Sequence, residues 1–137
     1  MLKNSIFIFI IISSIVFAGC NGKTEVDPDN ASAITGTYKM TKYVTNTSTT
    51  NNPASGNNVI LTKIDKNSVK AQVVYSDGSP SVDLNNLAIT KSGSNYSLAK
   101  TYSNASASGT ASGTSTTTLQ LNINYNDGTY VHITAVK

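Results

Sequence analysis

The segment LQLNINYNDGTYVHITAVK, residues 119–137, admits one strand pairing. Leu119, Leu121, Ile123 and Tyr125 alternate with Gln120, Asn122 and Asn124, the two-residue period of a half-buried strand. A two-residue Asp127-Gly128 turn would set Ile123 against His132 and Leu121 against Thr134. A three-residue loop, Asn126-Asp127-Gly128 with Gly128 left-handed, sets Ile123 against Val131, Leu121 against Ile133 and Leu119 against Ala135. A slip of one residue exchanges the faces of a strand. The apolar pattern therefore selects the three-residue loop with its glycine bulge.

Two more segments behave alike. In VILTKIDKNSVKAQVVY, an Asp65-Lys66-Asn67 loop, in which Asn67 can take the left-handed position, brings Val59 to Val73 and Leu61 to Ala71. In LAITKSGSNYSLAK, a two-residue Gly93-Ser94 turn brings Ile89 to Leu98. After residue 33 no segment holds a helical period, and turn residues recur about every ten positions, as in sandwiches and barrels. Strands are expected near 34–45, 58–64, 68–76, 80–91 (bent at Asn85-Asn86), 96–103, 107–113, 116–125 and 129–136. The fold class is all-β, an antiparallel meander of about eight strands. Such a sheet has two edges, and closure into a barrel removes both. A small barrel is the expected architecture, with a β-sandwich as the alternative.

Composition agrees. Ser, Thr and Asn supply 18, 18 and 16 residues, a balance of strand-favouring Thr with turn-favouring Ser and Asn. Ten Lys stand against seven acids and there is no Arg, so the bidentate reader of phosphates and bases is missing and nucleic acid is not an expected partner.

The front of the chain has a different character. Lys3 precedes a run of Ile, Phe and Val from Ile6 to Phe17, broken only by Ser13-Ser14, and small residues follow at Ala18-Gly19. A charged start, a short apolar stretch and small residues describe a secretory signal. The run is shorter than the roughly 20 residues of a spanning helix. The chain's one cysteine, Cys20, follows at once. An odd cysteine in an exported chain needs an explanation. Phe17-Ala18-Gly19-Cys20 resembles the lipobox of bacterial lipoproteins, with Phe where Leu is usual. The resemblance implies cleavage between Gly19 and Cys20, acylation of Cys20 and an attachment to membrane lipid. Two or more acyl chains, at about 0.8 kcal/mol per buried methylene, anchor a protein stably. The expected domains are a signal peptide at 1–19, a lipidated N-terminus and flexible polar tether at 20–33, and one β-domain at 34–137. Lys23, Glu25, Asp27 and Asp29 resemble the charged export tags of Bacteroidota surface lipoproteins, which implies an envelope location at the outer membrane.

Ile34-Thr35-Gly36-Thr37-Tyr38-Lys39-Met40 resembles the G-x-W opening of lipocalins, with Tyr38 in the place of Trp. The ending NDGTYVHITAVK is similar to that of small lipocalin-like lipoproteins of Bacteroidota. The resemblance implies a ligand-binding barrel, and a basic side chain, here Lys137, packed over Tyr38 as a cation–π contact.

Catalytic groups are scarce. Nucleophilic catalysis needs an activating base. The one histidine, His132, falls opposite Asn122 on the polar face. One His and one acylated Cys do not make a zinc site. Asp65, Asp77 and Asp127 sit at expected turns, where Asp bonds local backbone, and Asp83 points away from Val82 and Leu84. No enzyme, metal or cofactor is expected. SNASASGTASGTSTTT, residues 103–118, reads as a low-complexity loop or a thin edge pair of small residues.

Two functions follow. A binding module would take a small apolar or amphiphilic ligand among the inward residues Tyr38, Met40, Leu61, Val73, Ile89, Leu98, Leu121, Ile123 and Ile133, which would equally make a filled core. An interaction lipoprotein would instead show an outer aromatic patch drawn from Tyr43, Tyr75, Tyr102 and Tyr130.

Overall fold

The computed structural model describes residues 28–112 and 117–137. The expected signal, the expected Gly19-Cys20 cleavage site and most of the expected tether lie outside the described residues. A short helix, α1 (Asn30–Ile34), precedes nine strands: β1 (Gly36–Thr45), β2 (Thr49–Asn51), β3 (Asn58–Asp65), β4 (Ser68–Val74), β5 (Val82–Ser92), β6 (Asn95–Thr101), β7 (Ala105–Ser112), β8 (Thr118–Tyr125) and β9 (Tyr130–Val136). Each long strand pairs antiparallel with the next, and β1 pairs with β9, so eight strands close a barrel. β2 is extra and pairs with the far half of β1.

Closure is what the alternation asks for. Inward positions from Tyr38 to Ala135 form one buried cluster, while the positions between them carry Thr, Ser, Asn, Gln and Lys outward. An apolar inside and polar outside is the reverse of a lipid-facing barrel. The three hairpin registers expected from sequence are present. Ile123 faces Val131, Leu121 faces Ile133 and Leu119 faces Ala135, with Gly128 at φ 85°. Val59 faces Val73 and Leu61 faces Ala71. Ile89 faces Leu98, with Gly93 left-handed at the first turn position, as the primed hairpin turns require. The expected bend in β5 is a bulge: Asn86 adopts φ 58°, and the register shift lets Leu84 and Leu87 both face inward.

Several expectations are corrected. Asn67 is not left-handed; the Asp65 carboxylate closes that turn, accepting from the Asn67 N–H at 2.8 Å and the Ser68 hydroxyl at 2.6 Å. The tether was expected to run to residue 33, but its last residues form α1. Asp29 caps this helix, accepting from the Ser32 N–H at 3.1 Å, and Ala31 and Ile34 are fully buried. Residues 105–112 are not a loop or an edge but a wall strand, paired along its length with β6 and β8. Its inward side is Ala105, Ala107, Gly109 and Ala111, and residues 113–116 lie outside the described residues.

The two ends of the barrel differ. At one end α1 sits against β3 and β5, tied by the Ala31 N–H to the Lys66 carbonyl at 2.9 Å and by Asn30 to Asn67 at 2.7 Å. Lys63 reaches from β3 to pair with Asp29 and to the Ser32 hydroxyl at 3.1 Å. Lys137 donates to the Thr35 carbonyl at 2.5 Å, and its Nζ stands 5.9 Å from the Tyr38 ring centroid, the contact implied by the lipocalin resemblance. Beneath it the Tyr38 hydroxyl donates to the Ile34 carbonyl at 2.5 Å. This end is closed. The opposite end, ringed by the β1–β3, β4–β5, β6–β7 and β8–β9 connections, holds two of the cavities described next.

Candidate functional site

The nine inward residues anticipated as ligand-lining or core are all buried and belong to one packed cluster. Eight strands enclose an interior just wide enough for side chains to fill, and here the middle of the barrel is filled. Of the nine, Met40 reaches the floor of a cavity at the open end and Ile123 reaches a second one.

The first cavity measures about 360 Å³ and is lined by Met40, Tyr43, Thr50, Pro53, Asn57, Tyr75, Asp77 and Ser79. Tyr43 reaches it because of a second bulge. Met40 faces Ala135 and Lys42 faces Thr134, so Thr41 is an extra residue, and Tyr43 instead of Lys42 falls opposite the inward Ile133. The Thr41 hydroxyl donates to the Thr134 carbonyl at 3.1 Å across the bulge. Tyr75 continues the inward row of Val69, Ala71 and Val73 past the end of β4. The two rings meet edge to face, 5.9 Å apart and inclined at 87°.

The remaining wall comes from the connection between β1 and β3. β2 hydrogen-bonds back onto β1, pairing Thr50 with Tyr43. Asn52 turns left-handed at φ 49° and donates its N–H to the Thr41 carbonyl at 2.8 Å, which places Pro53 in a buried position. Asn57 ties this flap to the facing loop, accepting from the Ser76 N–H at 2.7 Å. On that loop the Ser79 N–H donates to Asp77 at 2.9 Å, and this bond, foremost, holds the Asp77 carboxyl below its ordinary range. Tyr75 is pushed the other way. Burial, then the Tyr43 hydroxyl beside it, then the neighbouring Tyr125 and Asp77, raise its phenol well above the usual value. At neutral pH the cavity thus presents the uncharged Tyr75 phenol and the Asp77 carboxylate.

The second cavity, about 180 Å³, lies at the same end between Val82, Leu84, Tyr102, Ala105, Ile123 and Tyr125. The Tyr102 hydroxyl donates to the Asn85 carbonyl at 2.8 Å, and burial raises its phenol. A third depression of about 420 Å³ lies nearer the closed end, bordered by Ser92, Asn95, Thr110 and Gln120, and is polar in character.

Of the tyrosines expected on the outer surface, Tyr43, Tyr75 and Tyr102 instead pack half-buried against the core at the open end. Tyr130 lies outside and stacks on His132 with centroids 4.6 Å apart. Among the described residues, Ile64 is the large apolar side chain left exposed. His132 pairs with Asn122 on the outer face, as expected. Asp83 pairs with Lys70 at 2.7 Å, and Asp127 accepts from the Thr129 hydroxyl and N–H. Among the described residues no three His, Cys, Asp or Glu side chains come together to hold a metal ion.

Fold and site together define a closed eight-stranded antiparallel barrel with one capped end, a filled centre and a tyrosine-lined mouth. No family model, curated protein or solved structure matches the chain.

Proposed function

We propose that this chain is a bacterial lipoprotein, held in the cell envelope at the outer membrane by acylation of Cys20, whose lipocalin-like barrel binds a small amphiphilic molecule at its open end. The observation that carries the binding half is the 360 Å³ mouth cavity, with an apolar floor at Met40, aromatic walls and a polar rim. Ligand sites are concave, mostly apolar and furnished with a few polar groups, starting at about 300 Å³. The sequence before the barrel supports the anchor through Lys3, the apolar run and Phe17-Ala18-Gly19-Cys20.

The two halves fit one geometry. The chain enters the barrel at its closed end, through α1. Seven residues, 21–27, separate Cys20 from Pro28 and span at most about 25 Å fully extended. The anchored barrel then keeps its capped end nearer the membrane and its mouth away from it. A role for the outer wall has less behind it, since three of the four candidate tyrosines turn to the mouth.

Two measurements test the proposal. Cys20→Ala abolishes labelling by radioactive palmitate and stops cleavage at Gly19-Cys20; a variant that still labels contradicts the anchor. Native mass spectrometry of the chain purified from its own cells finds a co-purified molecule of a few hundred daltons, lost in Tyr75→Ala. A bare chain mass at every attempt contradicts the binding role.

A further inference from the structure

We propose that the mouth cavity selects ligands with a positively charged, alkylated ammonium head. This rests on the mouth being a binding site and narrows what that site takes. The Tyr43 and Tyr75 rings stand perpendicular, centroids 5.9 Å apart, as adjacent walls of one cavity. The face of an aromatic ring is the negative side of its quadrupole, and a quaternary or alkylated ammonium is its preferred polar guest.

The charge of the lining points the same way. Asp77 is the single charged side chain on the wall, with no lysine beside it, and the chain has no arginine. An anionic head would meet a carboxylate with no counter-charge. A neutral head with a hydroxyl or amide could hydrogen-bond Asp77 but would bring no positive charge to it or to the ring face. A cation gains both the ring face and the carboxylate. The ionised carboxylate is favoured first by the Ser79 N–H, which donates to one oxygen at 2.9 Å, and then by the Ser79 side chain. Met40 and Pro53 then give alkyl substituents an apolar seat.

The test uses choline and its uncharged carbon isostere, 3,3-dimethyl-1-butanol, titrated into the full chain held in nanodiscs free of choline lipids. Ring signals of Tyr43 and Tyr75 report binding by NMR. Choline shifts both rings and binds about ten-fold or more tightly than the isostere, as expected where a cation–π contact and a carboxylate act together. Asp77→Asn keeps an acceptor for the Ser79 N–H, so the loop stays folded, and it lowers the preference to the part that the Tyr43 and Tyr75 rings supply. Equal binding of the two probes, or a preference undiminished in Asp77→Asn, overturns the cation proposal. So does the absence of any choline-induced shift. A neutral molecule co-purifying with the chain, together with no response to choline, would overturn the ammonium head alone and leave the mouth as a binding site.

Discussion

Tyr38 joins the core to the cap. It is fully buried, its hydroxyl satisfies the Ile34 carbonyl at the end of α1, and Lys137 covers its ring. Tyr38→Phe keeps the ring but strands a buried carbonyl, which costs about 1–3 kcal/mol in chemical unfolding. Burial also pushes the Tyr38 phenol up to about 12 from 10.0. A phenol raised on folding contributes stability that is complete below pH 10 and is lost as pH climbs toward 12. Tyr38→Phe therefore flattens the alkaline decline of the melting temperature in that window; an unchanged slope would mean the hydroxyl is already free. Gly109 is held to glycine by a neighbouring strand. A Cβ there would come within 2.5 Å of the Gln120 carbonyl oxygen on β8, so Gly109→Ala forces the β7 and β8 backbones apart. Strain of that kind costs about 1–3 kcal/mol, read as a lower denaturation midpoint. The sequence marks Tyr38 because it opens an alternating strand. It does not mark Gly109, whose need for glycine comes from a neighbour strand rather than from its own turn.

At the scale of elements, what was readable was local. The 119–137 hairpin has only two candidate registers, and an apolar face with a loop glycine chooses between them. The same holds for the Gly93-Ser94 turn and for the bend at Asn85-Asn86. What was not readable depends on partners far along the chain. Five residues are too few to make an isolated helix, and α1 exists because Ala31 and Ile34 plug the barrel end and Asp29 caps it. The bulge at Thr41 leaves no trace in strand composition, yet it decides that Tyr43 faces the cavity. Two predictions belong here. Asn86 sits at φ 58°, where a β-branched side chain loses about 1–2 kcal/mol. Asn86→Val therefore lowers stability by about that amount while Asn86→Gly is close to neutral, and equal losses would place the strain elsewhere. Asp29 is held down to about 2, first by Lys63 and then by the Ser32 N–H. A carboxyl lowered on folding gives stability that is complete above its ordinary 3.8 and is lost as pH falls toward 2. The melting temperature of the wild-type chain thus drops more steeply than that of Asp29→Asn between pH 4 and 2.

For the whole molecule, closure by β1 and β9 is the organising fact, since it leaves no open edge in the wall and one end stoppered by α1. The two edges of an eight-strand meander pointed to a barrel, with a sandwich as the alternative, but the apolar inventory did not show whether its centre was a cavity or a core, because the same residues serve either. Packing settles it: Leu119, Leu121 and Leu98 fill the centre, and the space lies at the mouth, where loops from distant parts of the chain meet. The central claim is that a ligand binds at the mouth above a core that stays intact. Methyl and ring NMR of the full chain, titrated with the amphiphile recovered from its own cells, measures this directly. The Met40 methyl and the Tyr43 and Tyr75 rings shift on binding, while the methyls of Leu119 and Leu121 hold their positions. Shifts centred on Leu119 and Leu121, with the tyrosines unmoved, would place the ligand inside the barrel and contradict the account.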